Sequence, residues 1–158
     1  MKCRNYAHRG FSGKYPENTM LAFEKAVEAG CEGIELDVHF SKDQELVIIH
    51  DEKVDRTSDG NGYVKDFTYE ELKKISFSYK FAEEIGFQKI PTLKEYFEFV
   101  KDKDLITNIE LKTGVFEYPV ESTVSVYVNR IGRYAFVACD YFHTNSLSSN
   151  NIFQMQRK

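Results

Sequence analysis

Short apolar runs alternate along the first part of the chain with segments in which apolar residues recur every three or four positions. This alternation predicts βα units, in which the strands form a parallel sheet and the helices pack against it. The predicted strands span residues 4–7, 33–40, 46–49 and 105–111, with a fifth candidate at 134–141. The run at 46–49 is apolar at every position, which is typical of a strand buried on both faces.

Each predicted helix begins near a residue that can accept a hydrogen bond from the first helical turn. Asn18 or Thr19 can cap the first helix in this way. Thr68 and Thr92 each stand three residues before a glutamate, which is the spacing of a capping box. Residues 54–90 are otherwise loop-like, and they predict an insertion after the third strand.

The second predicted strand separates an apolar face from an ionisable face, because side chains alternate along a strand. The apolar face holds Ile34, Leu36 and Val38, and the other face holds Glu35, Asp37 and His39. Adjacent carboxylates that point into the interior repel each other and lose solvation unless a cation neutralises them. The fourth strand repeats this parity and adds Glu110, which predicts an all-oxygen site for magnesium, calcium or manganese.

An edge strand with one solvated face is the alternative explanation of the second strand, and the matching parity of the fourth strand weakens it. Ionisable residues also follow the ends of the apolar segments: His8, Arg9, His50 and Lys112. Two histidines, three carboxylates and two cations at strand ends are the groups that metal-assisted phosphodiester hydrolysis needs. An isolated histidine is more often a structural hydrogen-bonding residue, and His39 and His143 keep that interpretation.

Composition narrows the class of protein. The chain is 42% hydrophobic and 29% charged with a formal net charge of −4, which is typical of a soluble globular protein and carries no nucleic-acid footprint. No stretch approaches the ~20 apolar residues of a membrane span, and no apolar signal region opens the chain, so we expect a cytoplasmic protein without stable membrane association. The three cysteines indicate neither a disulfide framework nor a zinc site.

Taken together, the motifs resemble those of the glycerophosphodiester phosphodiesterases. The resemblance rests on His8-Arg9-Gly10, Pro16-Glu17-Asn18-Thr19, Glu35-Leu36-Asp37-Val38, residues 46–51, Asp55-Arg56-Thr57, Pro91-Thr92-Leu93 and Asn108-Ile109-Glu110-Leu111-Lys112. It covers about residues 4–118, and these motifs in this order are highly specific. It implies a TIM-type (β/α)₈ barrel with its site at the carboxyl ends of the strands, and it implies that residues 54–90 are the family's small extra subdomain.

The resemblance also implies a role for each site residue. Glu35, Asp37 and Glu110 would bind a divalent cation, Mg²⁺ or Ca²⁺ with Mn²⁺ also compatible; His8 and His50 would be the acid/base pair; Arg9 and Lys112 would contact the substrate phosphate. The implied reaction converts a small glycerophosphodiester to glycerol 3-phosphate and an alcohol such as choline or ethanolamine. Which histidine is the base, and whether a cyclic phosphate forms first, stay open.

Length and the last part of the chain depart from the family pattern. A (β/α)₈ barrel typically needs about 250 residues, and these 158 supply four or five of eight strands. Of the 25 acidic residues, only Glu121 and Asp140 follow Pro119. We therefore expect residues 1–119 to form the N-terminal part of the barrel, and residues 120–158 to form a divergent segment that ends in a disordered tail.

Three explanations of the short barrel stay open: a truncated or frameshifted product, a piece of a longer enzyme, or a homo-oligomer that completes the barrel. Two alternative functions also stay open. One is a non-catalytic truncated barrel that retains metal or phosphate binding. The other is a related phospholipase acting on lipid phosphodiesters, against which the insertion at 54–90 and the absence of an apolar membrane-facing loop both speak.

Overall fold

Six strands form one sheet in the computed structural model, which describes residues 5–112, 135–139 and 153–154. The strands are β1 (Tyr6–His8), β2 (Gly33–Phe40), β3 (Leu46–Ile48), β4 (Ile106–Leu111), β5 (Ala135–Cys139) and β6 (Phe153–Gln154). The helices are α1 (Met20–Glu28), α2 (Tyr69–Leu72), α3 (Ala82–Ile85) and α4 (Leu93–Val100), with 3₁₀ turns at Val64–Asp66 and Tyr79–Phe81.

The centre of the sheet is parallel. β1, β2, β4 and β5 lie side by side in that order, and each neighbouring pair is parallel. The register places Asp37 on β2 opposite Glu110 on β4. The parallel strands, with α1 between β1 and β2 and α4 before β4, confirm the predicted α/β class and form the incomplete barrel that the sequence predicts.

β3 runs in the opposite direction, and the prediction of a parallel third strand is wrong. It pairs antiparallel with β2, with His39 opposite Val47. Only residues 41–45 connect the two strands, whereas a parallel crossover needs a dozen or more residues. The backbone N–H of Ile49 donates to the Asp37 carbonyl at 3.0 Å. The chain therefore returns to the level of Asp37 just before His50.

Two helices cover the apolar face of the sheet. Thr19 caps α1 by accepting a hydrogen bond from the Ala22 N–H, and Thr92 begins α4 with the predicted capping box. Buried side chains from both helices and from β2 form one core: Phe23, Ala26, Ile34, Leu36, Val38, Leu93, Tyr96, Phe97 and Val100. Burying this face of β2 directs the alternate residues, including Glu35 and Asp37, to the opposite face.

Residues 54–90 form a small packed unit with a second core. Val47 and Ile49 supply one side of it, and the insertion supplies the other through Val54, Val64, Leu72, Phe77 and Ile90. Leu46 and Ile48 pack into the first core instead. β3 is therefore buried on both faces, as its apolar run predicts. The predicted helix start at Thr68 is also confirmed, with a capping box to Glu71.

The last part of the chain contributes two short strands. β5 lies within the predicted fifth strand, and β6 pairs antiparallel with it through Val137 and Phe153. Apart from Phe153 and Gln154, the predicted tail lies outside the described residues, as does His143. Among the helices of the described ranges, none has the length and apolar character needed to cross a bilayer.

Candidate functional site

Three carboxylates converge on the polar face of the sheet. Glu35 and Asp37 are two positions apart on β2, and Glu110 lies beside Asp37 on the neighbouring strand β4. One oxygen from each of the three side chains lies within 4.8 Å of the other two. Hard divalent cations accept this kind of all-oxygen ligand set, so the arrangement could hold one ion.

The negative charges in this cluster repel one another. Burial raises the pKa of Glu35 to about 7; the negative charge of Asp37, and to a lesser extent that of Glu110, acts in the same direction. The backbone N–H of Arg9, 3.1 Å from Glu35 Oε2, works against the shift. A nearby positive charge stabilises the ionised form of such a carboxyl group.

Asp37 is the most enclosed of the three, with no exposed surface. Its Oδ2 accepts a hydrogen bond from Asn18 Nδ2 at 2.9 Å and lies 3.4 Å from Arg9 Nε. Its Oδ1 lies 3.5 Å from Lys112 Nζ and has no hydrogen-bond partner in the described structure. A buried carboxylate oxygen in this state is costly unless a further ligand uses it, so the residues fit a bound cation.

The two predicted phosphate-contacting cations stand at this cluster. Arg9 follows β1, and Lys112 follows β4, where its Nζ contacts Glu110 as well as Asp37. Arg9 and Asn18 both have left-handed backbone, with φ of 57° and 56°. Non-glycine residues in this region are strained and concentrate at functional sites. The loop between β1 and α1 is thus shaped to bring both side chains to Asp37.

His8 lies beside the cluster at the end of β1. It pairs in register with Glu35, and its Nε2 is 3.9 Å from Glu35 Oε2. Its side chain is 67% exposed. The ring therefore lies next to Glu35 and is exposed to solvent, so a substrate could reach it.

The imidazole ring of His50 contacts the carboxylate of the next residue, Asp51. Its Nδ1 lies 2.6 Å from Asp51 Oδ1, and its side chain is 30% exposed. The backbone oxygen of His50 accepts a hydrogen bond from His39 Nε2 at 3.0 Å. His39 thus makes the structural hydrogen bond expected of it, and its burial lowers its pKa.

A chain of ion pairs joins His50 to the acidic cluster. Asp51 pairs with Arg56, Arg56 pairs with Glu17, and Glu17 pairs with Arg9, which reaches Asp37. From the sequence, Glu17, Asp51 and Arg56 have no predicted role, and Asn18 is predicted only as a possible helix cap. They lie in motifs of the sequence, but charged loop residues are usually solvated, and no spacing rule pairs positions this far apart in the chain.

A family comparison assigns most of the chain to one group of enzymes. Residues 8–150 match the model of the glycerophosphoryl diester phosphodiesterase family. A glycerophosphodiester phosphodiesterase of Caldanaerobacter subterraneus is 55% identical over 119 residues, which are 75% of this chain and 49% of that protein. One from Bacillus altitudinis is 47% identical over 145 residues, 90% of this chain and 59% of that protein.

Solved structures give the same relationship. A glycerophosphodiester phosphodiesterase from Agrobacterium tumefaciens superposes with a TM-score of 0.80 at 30% identity, over 89% of this chain and 59% of that one. An Oleispira antarctica phosphodiesterase, solved in complex with the product sn-glycerol-3-phosphate, superposes with a TM-score of 0.75 at 29% identity, over 89% and 58%. The chain spans about half the length of the curated relatives it matches.

Proposed function

Because the chain belongs to the glycerophosphoryl diester phosphodiesterase family, we propose that it hydrolyses small glycerophosphodiesters to glycerol 3-phosphate and an alcohol. One observation carries the proposal. Glu35, Asp37 and Glu110 converge within 4.8 Å, in contact with Arg9, Lys112 and His8, and a chain of ion pairs links them to His50; these are the groups that this chemistry requires. The product bound to the Oleispira antarctica relative supports the choice of substrate class.

The acidic cluster is the proposed site of a divalent cation. Glu35, Asp37 and Glu110 would supply the oxygens, and Mg²⁺, Ca²⁺ or Mn²⁺ accepts such ligands. The raised pKa of Glu35, to about 7, and the lack of a hydrogen-bond partner for Asp37 Oδ1 within the described residues both support this assignment. When bound, the cation supplies Lewis-acid polarisation of the phosphoryl oxygens.

Arg9 and Lys112 are the proposed phosphate-contacting residues. Both already lie at the edge of the acidic cluster, within 3.4 and 3.5 Å of Asp37. The transition state for attack at phosphorus carries more negative charge on its oxygens than the substrate does. Fixed cations next to those oxygens therefore stabilise the transition state preferentially.

His8 and His50 are the proposed acid/base pair. One removes a proton from the attacking nucleophile, either water or a hydroxyl of the substrate whose cyclic phosphate is then opened by water, and the other donates a proton to the departing alcohol oxygen. His50 donates its Nδ1–H to Asp51 at 2.6 Å, which leaves Nε2 to exchange a proton with the substrate. His8 is mostly exposed and can approach a bound substrate from the solvent side.

Release of glycerol 3-phosphate from glycerophosphocholine tests the proposal. We expect release in Mg²⁺ or Ca²⁺ and none in excess chelator. Glu35→Gln and His8→Ala should each lower kcat by about a hundredfold or more, because each removes a group that acts on the reacting phosphate. The control is Glu24→Gln on the exposed side of α1, which should keep the wild-type rate. Full activity of Glu35→Gln would contradict the proposed site.

Association of two copies of this chain is a separate proposal. β1 ends the strand order of the described sheet, and open strand edges pair readily with another chain. Light scattering should then give twice the mass of the 18.4 kDa chain. The mass of a single chain would contradict it.

A further inference from the structure

One guanidinium group bridges the two loops that flank the site. Arg56 Nε and Nη2 donate to the two carboxylate oxygens of Asp51 at 2.6 and 3.1 Å. Its Nη1 and Nη2 donate to the two oxygens of Glu17 at 2.9 and 2.8 Å. Both contacts are bidentate, so they fix the direction of each carboxylate as well as its position. No ammonium group could make this pair of contacts.

Glu17 extends the bridge to the acidic cluster. Its Oε1 also accepts a hydrogen bond from Arg9 Nη1 at 3.0 Å, and Arg9 Nε lies 3.4 Å from Asp37. Glu17 belongs to the loop between β1 and α1, whereas Arg56 belongs to the segment that follows β3. Two parts of the chain that are 39 positions apart are thereby joined at the site.

Arg56 projects from a turn that is itself fixed. Val54 is fully buried, and its N–H donates to the Gly62 carbonyl at 3.0 Å. Asp55 accepts hydrogen bonds from Gly62 N and Asn61 Nδ2 at 2.7 and 2.9 Å. The turn holds the backbone of Arg56 in place. Fewer conformations of the Arg56 side chain are therefore open to it when it binds Asp51.

The ion pairs of Arg56 are partly exposed to solvent. Its side chain is 41% exposed, and those of Asp51 and Glu17 are 29% and 21% exposed. Solvent screens the attraction between partly exposed charges. Orientation is the stronger consequence, because both oxygens of Asp51 are held and one of them receives the Nδ1–H of His50. Held in this way, the carboxylate selects one tautomer and one ring direction.

We propose that Arg56 and Glu17 are positioning residues for His50, acting through Asp51, and that the segment at 54–90 thereby forms part of the site. The inference rests on the proposed function only in so far as His50 exchanges a proton with the substrate. The orientation of the imidazole ring is a property of the protein without substrate, and it can be measured separately.

The first measurement is the tautomer of His50 in the substrate-free protein. Long-range ¹H–¹⁵N correlation spectra identify it from ring protons that do not exchange, at a pH where the ring is neutral. We expect wild type to carry the proton on Nδ1. Arg56→Gln should shift the population towards Nε2–H, and Arg56→Lys should shift it less. Lys74→Gln removes one exposed cation from the same segment and should change nothing.

The second measurement is kinetic. Arg56→Gln should lower kcat by about tenfold to a hundredfold, the usual effect of removing a group that orients an active residue, with KM changed less than about threefold. Asp51→Asn should lower kcat by at least as much. If Arg56 acts through Asp51, the double variant should be no slower than Asp51→Asn alone.

Three results would overturn the inference: an unchanged His50 tautomer in Arg56→Gln, unchanged kcat in that variant, or effects of Arg56→Gln and Asp51→Asn that multiply. The tautomer also separates the two proposals. If the wild-type chain does not hydrolyse glycerophosphocholine, a shifted tautomer in Arg56→Gln still supports the positioning role, and an unshifted tautomer still removes it.

Discussion

Glu35 and Asp37 show how far single residues determine this site. Each carboxylate is placed on the polar face of β2 by the alternation of the strand, and each loses solvent there. Arg9, Asn18 and Lys112 offset part of the cost at Asp37. Glu35 keeps a pKa of about 7, so its protonated form predominates in the folded protein below that pH.

The raised pKa of Glu35 predicts how stability depends on pH without metal. The folded state binds more protons than the unfolded state between about pH 4.5 and 7, so the free energy of unfolding should fall as pH rises through this window. The expected fall is on the order of 2 kcal/mol. Urea denaturation in chelator at pH 5 and pH 7 measures it. Glu35→Gln should flatten the profile, and an equally steep profile in that variant would assign the effect to another group.

Gly10 gives a second prediction at the residue scale. It has φ of +78°, and a Cβ atom there would lie 2.8 Å from the Ala22 carbonyl carbon of α1. Gly10→Ala should therefore destabilise the protein by about 3 kcal/mol, from backbone strain and from overpacking against a helix. Gly30→Ala is the matched control, because its φ is +81° with nothing within 4 Å. In thermal or urea unfolding, the control should lose about 1 kcal/mol of unfolding free energy. Equal losses in the two variants would exclude the close contact as the cause.

At the scale of elements, sequence patterns predicted the features that depend only on residues close together in the chain. Thr68 and Thr92 form the predicted capping boxes, and the parity of β2 and β4 places Glu35, Asp37 and Glu110 on one face. The direction of β3 was missed, because an apolar run looks the same in a parallel and an antiparallel pair. The short connection at residues 41–45 contained the missing information.

The cap of α4 can be tested on its own. Thr92 accepts a hydrogen bond from the Glu95 N–H at 3.1 Å, and its own N–H donates to the Glu95 carboxylate at 3.0 Å. Thr92→Ala should lower the free energy of unfolding by about 1 kcal/mol. Lys94→Ala, at an exposed position of the same helix, should change it by less than about 0.5 kcal/mol. Equal effects in urea titrations would show that the cap does not stabilise α4.

At the scale of the whole molecule, the site is assembled from parts that are distant in sequence. The sheet supplies the carboxylates, the loop after β1 supplies Arg9 and Glu17, and the segment after β3 supplies Arg56. The sequence predicted the first set through strand parity. It could not assign the bridge from Glu17 to Arg56, because that contact depends on how the segment at 54–90 folds back against the loop after β1.

The most direct test of the account measures metal occupancy and hydrolysis on the same sample. Chelator-treated protein is titrated calorimetrically with Mg²⁺, and glycerol 3-phosphate release from glycerophosphocholine is recorded at each point. We expect one bound ion per chain and a rate that rises in proportion to occupancy, with both lost in Asp37→Asn. Hydrolysis at zero occupancy, or full occupancy in Asp37→Asn, would contradict the claim that the carboxylate cluster holds the ion on which the reaction depends.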